Sequence, residues 1–495
     1  MTLQISRRSM LKAAGAATGA VGIGIGIGTG VAASPATAAD ASFAHPGMLH
    51  TQADLNRMRA MVNARTEPWK AGWDRLVANS HSAAGWVPNP QETVVRGATP
   101  DGPAENYWIL FNDIHAAYQN ALRWKITGDT SHADTARDIC NAWSETLPGI
   151  AGGSEVVLLA GIYGYQFANA GEIIRDYPGF DLARFQDMLL NHFYPMNHDF
   201  LNRETNCIGH YWANWDLCSM ASIMAIGILR DDRAMFDETV DYFHNGAGNG
   251  SLANAIPYVY NDVGLAQWQE SGRDQGHSLM GIGLMGTICE MAWNQGVDLY
   301  GADDSRFRKA CEYVARYNLG YDVPYTTYTW NNGAHCVETE QTVISEHGRG
   351  GGRPVWARVY HHYVNRRGIA MPNTGEMLAR SGAEGGGGDY GPNSGGYDEL
   401  GFGTLAFSRN RATATESAPT PATESSSSGS SGDSAVEQPS GLSPQGGESD
   451  GNLAATGSSE LPLWTAASGV TALLGGLLLF RRRGRTAATP SETPE

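Results

Sequence analysis

Apolar residues recur every three to four positions through most of residues 51–368, and no segment within that length has the composition of a linker. This spacing puts apolar side chains on one face of a helix and predicts amphipathic helices. The predicted helices are 51–64, 66–79, 105–127, 131–146, 151–177, 181–199, 207–230, 233–246, 263–297, 303–318 and 338–368. About ten helices with short connections predict an all-α fold, an α/α toroid of paired helices in one domain at 39–411. An irregular helical bundle is the alternative.

The composition describes a folded, acidic chain. Hydrophobic residues make up 42% of the 495 residues, which is enough to bury a sizeable core. The formal net charge of −17 argues against nucleic acid as a partner, because phosphate binding needs a basic face. The six cysteines are too scattered for a disulfide framework, although an oxidising exterior would permit a disulfide.

The first 38 residues have the pattern of an export signal. Arg7 and Arg8 precede an apolar, Gly- and Ala-rich stretch, and residues 36–38 offer a small-x-small cleavage pattern. The segment resembles a twin-arginine signal peptide, which implies the twin-arginine translocase as a partner and export of an already folded protein. An N-terminal membrane helix is the alternative.

The other end of the chain has the pattern of a surface anchor. Residues 412–452 are rich in Ser, Thr, Pro, Gly and acids and contain no Lys or Arg, so they predict a disordered stalk. Residues 453–485 combine Leu-Ala-Ala-Thr-Gly, an apolar run at 461–480 and a cluster of arginines. The run is about long enough to cross a bilayer, and the arginines would stay on the cytoplasmic side.

This order of pentapeptide, span and basic tail resembles a sortase cell-wall sorting signal. The resemblance implies sortase and peptidoglycan as partners, cleavage between Thr456 and Gly457, and a cytoplasmic tail at 486–495. A plain C-terminal membrane anchor is the alternative. In either case the sequence predicts an extracellular protein that a flexible stalk joins to the cell wall or membrane.

Residues 210–216 read His-Tyr-Trp-Ala-Asn-Trp-Asp, an unusual mixture of aromatic and polar side chains. On a helix, His210 and Asn214 lie four residues apart on one face. Tryptophan rings stack on sugar rings and an amide hydrogen-bonds to them. We therefore predict that Asn214 takes part in the chemistry and that His210, Trp212 and Trp215 bind a saccharide. A buried Asn satisfied by backbone is the alternative.

Residues 270–277 concentrate charge directly before an apolar run. On a helix, Glu270, Arg273, Asp274 and His277 would crowd one side. A carboxylate three residues before a histidine can orient its ring and tune its pKa, as a general base requires. We predict His277 as a catalytic residue, with Glu270 and Arg273 in substrate binding. A buried salt-bridge network is the alternative.

A third polar group lies at 349–362 and suits an acidic substrate, because arginine forks bind carboxylates. Its members are Arg349, Arg353, Trp356, Arg358, Tyr360, His361 and His362. Adjacent histidines on a helix point apart, and the chain has no His-Glu-x-x-His sequence. The sequence therefore predicts neither a metal site nor another cofactor.

The order of these motifs resembles the alginate lyase superfamily of polysaccharide lyases, with alginate and glucuronan lyases as the nearest likeness. The segments that carry the resemblance are residues 45–51, 212–215, 272–277, 353–356 and 360–363. The likeness extends from His45 to Ser408. One departure matters, since some of these lyases have Asn and His adjacent, whereas Trp215 follows Asn214 here. The catalytic histidine must then come from elsewhere, and His277 matches best.

The resemblance implies β-elimination beside a uronate in an acidic polysaccharide. Asn214 and an arginine, Arg353 in our assignment, would hydrogen-bond the uronate carboxylate and stabilise the enolate-like intermediate. His277 or Tyr360 would remove the C5 proton, and Tyr360 would protonate the departing O4. Arg349 and Trp356 would help to bind the substrate.

Two other function classes stay open at this point. An inverting glycoside hydrolase would need two carboxylates about 6.5–9.5 Å apart, which Glu270, Asp274 and Glu338 could supply. A non-catalytic carbohydrate-binding surface protein would keep the tryptophans but has no need of the charged cluster at 270–277. The product separates the classes, because only a lyase leaves an unsaturated uronate.

Overall fold

The computed structural model describes residues 42–97, 99, 102–203, 207–332, 336–386 and 397–419, which all fall within one unit. The predicted export signal, most of the predicted stalk, and Thr456 and Gly457 lie outside the described residues. No helix in the described ranges is long and apolar enough to cross a membrane, and the apolar run at 461–480 lies outside them.

Helices dominate the described residues, as the apolar spacing predicts. They are α1 (Gln52–Asn63), α2 (Trp69–Ala78), α3 (Tyr107–Thr127), α4 (Thr130–Thr146), α5 (Val156–Ile173), α6 (Leu182–Met188), α7 (Tyr194–Leu201), α8 (Ala213–Leu229), α9 (Arg233–Asn245), α10 (Leu252–Ala255), α11 (Gln275–Asn294), α12 (Ala302–Asn318), α13 (Trp356–Tyr360), α14 (Pro372–Ser381) and α15 (Gly403–Ala406). Strands are short and occur only in pairs within these residues.

The helices divide into an inner and an outer set. Almost every residue of α5, α8 and α11 is buried, and α8 packs against both α5 and α11. Helices α4, α9 and α12 bury one face and pack against α3, α8 and α11 respectively. A helix that is apolar on all sides must be surrounded, whereas an amphipathic helix can cover it. This pairing confirms the predicted all-α toroid.

Two of the predicted helices are wrong in their extent. The segment predicted as one helix at 263–297 begins with a strand, β4 (Leu265–Gln267), which pairs antiparallel with β3 (Tyr258–Tyr260). A 3₁₀ turn follows at Gln269–Gly272, and α11 begins only after Asp274 caps its N-terminus. The segment predicted at 338–368 starts as a strand, β6 (Val337–Gln341), which forms a hairpin with the preceding strand β5 (Tyr328–Asn332).

The first strand pair lies beside the inner helices. Strand β1 (Thr93–Arg96) runs parallel to β2 (Gly149–Gly152), with Arg96 opposite Gly152. The Asn106 side chain accepts a hydrogen bond from the Val95 N–H at 2.7 Å and donates one to the Thr93 carbonyl at 2.9 Å. These bonds fix the end of β1 against the start of α3.

The segment around His45 docks on the ends of the inner helices. His45 Nδ1 lies 2.6 Å from Glu172 Oε1 at the end of α5, and its Nε2 lies 2.9 Å from Asp231 Oδ1 after α8. Gln295, directly after α11, donates to the Gly47 carbonyl at 2.6 Å. A Cβ on Gly47 would lie 2.0 Å from the Ala44 carbonyl oxygen, so this close turn requires glycine.

The C-terminal part of the domain closes on the first helices. Arg57 of α1 donates to the Ser408 carbonyl, and α15 packs against α2, where Leu405 meets Gly72. The N–H of Ala412 donates to the Asn365 carbonyl at 2.7 Å, so backbone hydrogen bonding continues just past the predicted boundary at residue 411.

The environment of His45 predicts a pH-dependent contribution to stability. Burial opposes protonation, but the Glu172 and Asp231 carboxylates outweigh it and raise the pKa of His45 above its ordinary value of 6.5. A raised folded-state pKa contributes stability below about pH 6.5, and the contribution is lost as the pH rises through the folded-state value. His45→Ala should therefore lower the free energy of unfolding more at about pH 5.5 than at about pH 8.5.

Urea unfolding at the two pH values measures this difference. The matched control is His244→Ala, because His244 is exposed on α9 and forms no ion pair with a described carboxylate. An equal loss for His45→Ala at both pH values would contradict the role of the two carboxylates.

Candidate active site

A cleft of about 350 Å³ opens where the first turns of α5, α8 and α11 meet. Leu158, Asn214 and His277 come from these three turns. The full lining is Arg96, Leu158, Asn214, Asp274, Gly276, His277, Met280, His347, Gly348, Arg353 and Asp398. The structure thus brings Asn214, His277 and Arg353 to one cleft, although they are distant in sequence.

Asn214 is held from behind by a fully buried carboxylate. Its side-chain Nδ2 lies 3.1 Å and 3.0 Å from the two oxygens of Glu270, and its backbone N–H donates to Glu270 Oε1 at 3.0 Å. Glu270 is 0% exposed and does not line the cleft, so the prediction that it binds substrate has to be corrected. Glu270 positions Asn214 instead.

Arg273 connects this carboxylate to the cleft histidine. Its Nη1 donates to Glu270 Oε2 at 3.0 Å, and its Nη2 lies 3.1 Å from His277 Nε2. The guanidinium also lies 5.0 Å from the ring centroid of Trp212. Trp212 in turn stacks on Trp330 of β5, with centroids 4.2 Å apart. The Trp212 ring therefore supports Arg273 and does not line the cleft.

His277 forms a carboxylate–histidine pair with the residue that caps its own helix. Asp274 accepts the His277 backbone N–H at 2.7 Å, and His277 Nδ1 lies 2.6 Å from Asp274 Oδ2. Because arginine can only donate, His277 Nε2 accepts from Arg273 and Nδ1 carries the proton. The ring is thereby held as the neutral tautomer whose lone pair is on Nε2. The side chain is 39% exposed, so a substrate can reach it.

Asp274 is kept charged by this arrangement. Burial alone would raise its pKa, but the hydrogen bonds from the ring and backbone N–H of His277, with a smaller contribution from the charge of Arg273, lower the pKa of Asp274 below its ordinary value. A carboxylate that stays ionised can stabilise the imidazolium that forms when His277 takes up a proton.

A disulfide fixes the hairpin that carries Trp330. Cys207 pairs with Cys336, which lies directly before β6, and the two Cα atoms are 5.3 Å apart. The indole N–H of Trp330 also donates to the His210 carbonyl at 3.1 Å. The β5–β6 hairpin is thus joined to the segment before α8, beside the residues that hold Arg273.

Arg353 reaches the cleft, but its charge is compensated. Its Nε and Nη2 donate to the two oxygens of Asp398 at 2.9 Å and 2.7 Å, and its Nη1 donates to the Gly276 carbonyl. Asp398 is 0% exposed. This bidentate ion pair fixes Arg353 in the wall of the cleft. Because both prongs of the guanidinium are engaged, Arg353 is less suited to bind a substrate carboxylate than the sequence predicts.

Five predicted residues are not brought to the cleft lining. Tyr360 packs against Gly375 of α14, Trp356 is 0% exposed, and Trp215 packs against Tyr211 and Phe200. The guanidinium of Arg349 lies 3.9 Å from the ring centroid of Tyr317 and donates to the Tyr317 carbonyl at 2.7 Å. His210 contacts Tyr211 edge-on. Each of the five has a packing partner in the structure, and their roles in catalysis or substrate binding stay predictions.

Three lining residues were missed by the sequence reasoning, namely Arg96, His347 and Asp398. His347 precedes a Gly-rich loop, a position that could have suggested a site residue. Arg96 follows two valines in a short strand and belongs to no motif, so no sequence signal distinguished it.

The cleft is favourable for an anion despite the acidic composition. The N-termini of α5, α8 and α11 carry partial positive charge from their backbone N–H groups. The two lining carboxylates, Asp274 and Asp398, are each bonded to a basic side chain. Within the described residues, no group of three or more His, Cys, Asp and Glu side chains is arranged to hold a metal ion.

The Arg353–Asp398 pair predicts a large effect on stability. Arg353→Met would leave Asp398 buried without its partner, which typically costs about 3–5 kcal/mol. The double variant Arg353→Met/Asp398→Leu leaves no unpaired charge and should recover most of that loss. Urea unfolding of the three proteins tests this, and an Arg353→Met protein as stable as the wild type would show that the pair does not support the fold.

Comparison with known proteins shows a family to which part of the chain is similar and a shared fold. Residues 105–322 match the family model described as alginate lyase. No curated protein sequence matches the chain. Among solved structures, a variant of alginate lyase A1-III in complex with a tetrasaccharide aligns with a TM-score of 0.50 at 17% identity, over 77% of this chain and 100% of that one.

Two further structures align less closely. Alginate lyase A1-III from Sphingomonas species A1 has a TM-score of 0.48 at 16% identity, over 74% of this chain and 97% of that one. An alginate lyase from Bacteroides ovatus has a TM-score of 0.41 at 14% identity, over 55% and 83%. At these identities the tetrasaccharide complex shows only a shared fold, and the family match carries the enzyme class. The chain is a polysaccharide lyase.

Proposed function

We propose that this lyase cleaves a uronic-acid-containing polysaccharide, of alginate or glucuronan type, by β-elimination in the cleft at the first turns of α5, α8 and α11. The observation that carries the proposal is that two hydrogen-bonded pairs of side chains, Asn214 with Glu270 and His277 with Asp274, meet at one cleft. Asn214 is an amide held by Glu270, and His277 is a neutral histidine held by Asp274. β-Elimination beside a carboxylate needs a group that stabilises this carboxylate and a base. Asn214 supplies the first and His277 the second.

His277 acts as the base. Its Nε2 takes the C5 proton of the uronate, the C5–H electron pair forms the C4–C5 double bond, and the C4–O4 bond breaks. Asp274 stabilises the imidazolium, since it stays ionised and bonds to Nδ1. The Arg273 N–H that now bonds to Nε2 must leave that lone pair first. It then becomes a donor for a substrate oxygen, which keeps Arg273 in substrate binding.

Asn214 stabilises the charge that builds on the uronate carboxylate as C5 loses its proton. The Nδ2 group now donates to both oxygens of Glu270, so one of its N–H groups must turn from Glu270 to the uronate carboxylate, where a donor contributes most as charge develops. The N-terminus of α8, whose second residue is Asn214, adds partial positive charge in the same place.

The proton for the departing O4 comes from the imidazolium of His277. The ring already holds the proton removed from C5, so a single group serves both steps and no water is consumed. Tyr360 was the sequence-based candidate for this role, but its ring packs on α14.

The structure disfavours the two other function classes. A hydrolase needs a free acid and a free base, yet Glu270 is fully buried, Asp274 is bonded to His277, and Glu338 lies on the β5–β6 hairpin. A binding protein would use tryptophan faces, and those of Trp212 and Trp215 are engaged by other side chains.

We propose further that the enzyme works at the cell surface. The twin arginines and the sorting-type pentapeptide support export and attachment through Thr456. A large anionic polymer does not cross a membrane without a transporter, so an enzyme outside the cell reaches it directly.

The proposal predicts a specific product and a specific loss. On a panel of polymannuronate, polyguluronate and polyglucuronate, the wild type should release an ultraviolet-absorbing unsaturated uronate from at least one polymer. His277→Ala should lower turnover by about 10²- to 10⁴-fold, because it removes the general base. Asn214→Ala should lower it by about 10²- to 10³-fold, mainly in kcat.

Tyr360→Phe is the matched control, because its ring lies away from the cleft lining and only its hydroxyl is removed. It should retain nearly normal turnover. New reducing ends without ultraviolet absorbance would contradict the elimination, and a strongly impaired Tyr360→Phe enzyme would contradict the assignment of both proton transfers to His277.

A further inference from the structure

We propose that Arg96 binds the carboxylate of a uronate residue in the cleft and thereby selects acidic polysaccharides over neutral ones. Arg96 ends strand β1 and lines the cleft together with Asn214 and His277. The inference rests on the proposed function, since it names the group that recognises the substrate class of the same site.

Among the described residues near the cleft, Arg96 differs from the other arginines in having no described acidic partner. Arg353 is paired with Asp398, and Arg273 is paired with Glu270. Within the described part of the chain, Arg96 forms no ion pair. An uncompensated guanidinium in a protein with a formal net charge of −17 is a local attraction for an anion.

One nitrogen of Arg96 also lacks an acceptor. Its Nη1 is buried and makes no hydrogen bond to any described residue. A buried donor without a partner typically costs about 1–3 kcal/mol, so proteins rarely leave one unless a ligand or water completes it. A carboxylate in the cleft would supply the missing acceptor once the side chain turns this buried nitrogen toward it.

Two aromatic rings flank the guanidinium before any ligand arrives. It lies 4.9 Å from the ring centroid of Tyr107 and 6.0 Å from that of Tyr163. Asn106 fixes the backbone of β1 one residue earlier, and Arg96 itself is in register with Gly152 of β2. A planar guanidinium in a fixed orientation presents two parallel N–H groups, which matches the two oxygens of a carboxylate.

Binding of matched charged and neutral oligosaccharides tests this role. The probes are tetrasaccharides of mannuronate, guluronate and glucuronate, together with their carboxyl-reduced counterparts. Affinities are measured by calorimetry with the full chain in a His277→Ala background, so that the charged probes are not consumed. The variants are Arg96→Gln and Arg96→Lys, with Arg59→Gln as the control because Arg59 is exposed on α1 and does not line the cleft.

We expect the Arg96→Gln protein to bind the best charged probe about tenfold to a hundredfold more weakly and to bind its reduced counterpart as before. Arg96→Lys should lie between, because lysine keeps the charge but loses the fork, and Arg59→Gln should bind like its parent. Thermal unfolding confirms that each variant is folded, and Arg96→Lys carries the test if Arg96→Gln is not.

Three results would overturn the role of Arg96. They are an equal loss of affinity for charged and reduced probes, an unchanged affinity for the charged probe, and a parent protein that binds none of the charged probes. The failure of the proposed function is distinct, because it is a wild-type enzyme that binds these probes yet forms no unsaturated product from any polyuronate.

Discussion

The buried carboxylate of Glu270 is the interaction on which the site depends. It is 0% exposed and accepts from the backbone and side chain of Asn214 and from Arg273, whose other nitrogen reaches His277. An ionised group at that depth is stable only when several donors satisfy it. The same donors are thereby fixed relative to one another, which joins the first turn of α8 to the 3₁₀ turn before α11 across 56 residues of sequence separation.

The sequence predicted the structure best where a pattern of apolar residues is compatible with only one kind of packing. Helices that are apolar on all sides, such as α8, have to be surrounded, so the toroid could be predicted from spacing. The start of α11 could not be predicted from spacing, because the positions of Glu270 and Asp274 also fit one face of a helix that begins earlier. Tertiary contacts decided otherwise, placing Glu270 in a 3₁₀ turn and Asp274 at the N-cap.

Aromatic residues misled for a related reason. A tryptophan that stacks on sugar and one that packs against its own protein look alike in sequence, and Trp215 and Trp356 both turned out to be packed. The sequence did not indicate Arg96, because what distinguishes it is that no described acidic side chain forms an ion pair with it. A cation without an acidic partner can be recognised only once the neighbours are placed, whereas the composition suggests only a surplus of acid. The charge that matters to an anionic ligand is the local one, since salt screens distant carboxylates beyond about 10 Å.

The origin of the oxygen in the product tests the account most directly. Digestion of a polyuronate in water enriched in oxygen-18, followed by mass spectrometry, distinguishes elimination from hydrolysis in a single experiment. Elimination by His277 and Asn214 breaks the C4–O4 bond without water, so the fragment with the new non-reducing end should weigh one water less than a saturated fragment. Oxygen-18 should enter the fragments only by the spontaneous exchange at reducing ends, which a control without enzyme measures. Fragments that contain oxygen-18 at the cleaved bond and keep a saturated ring would contradict the mechanism.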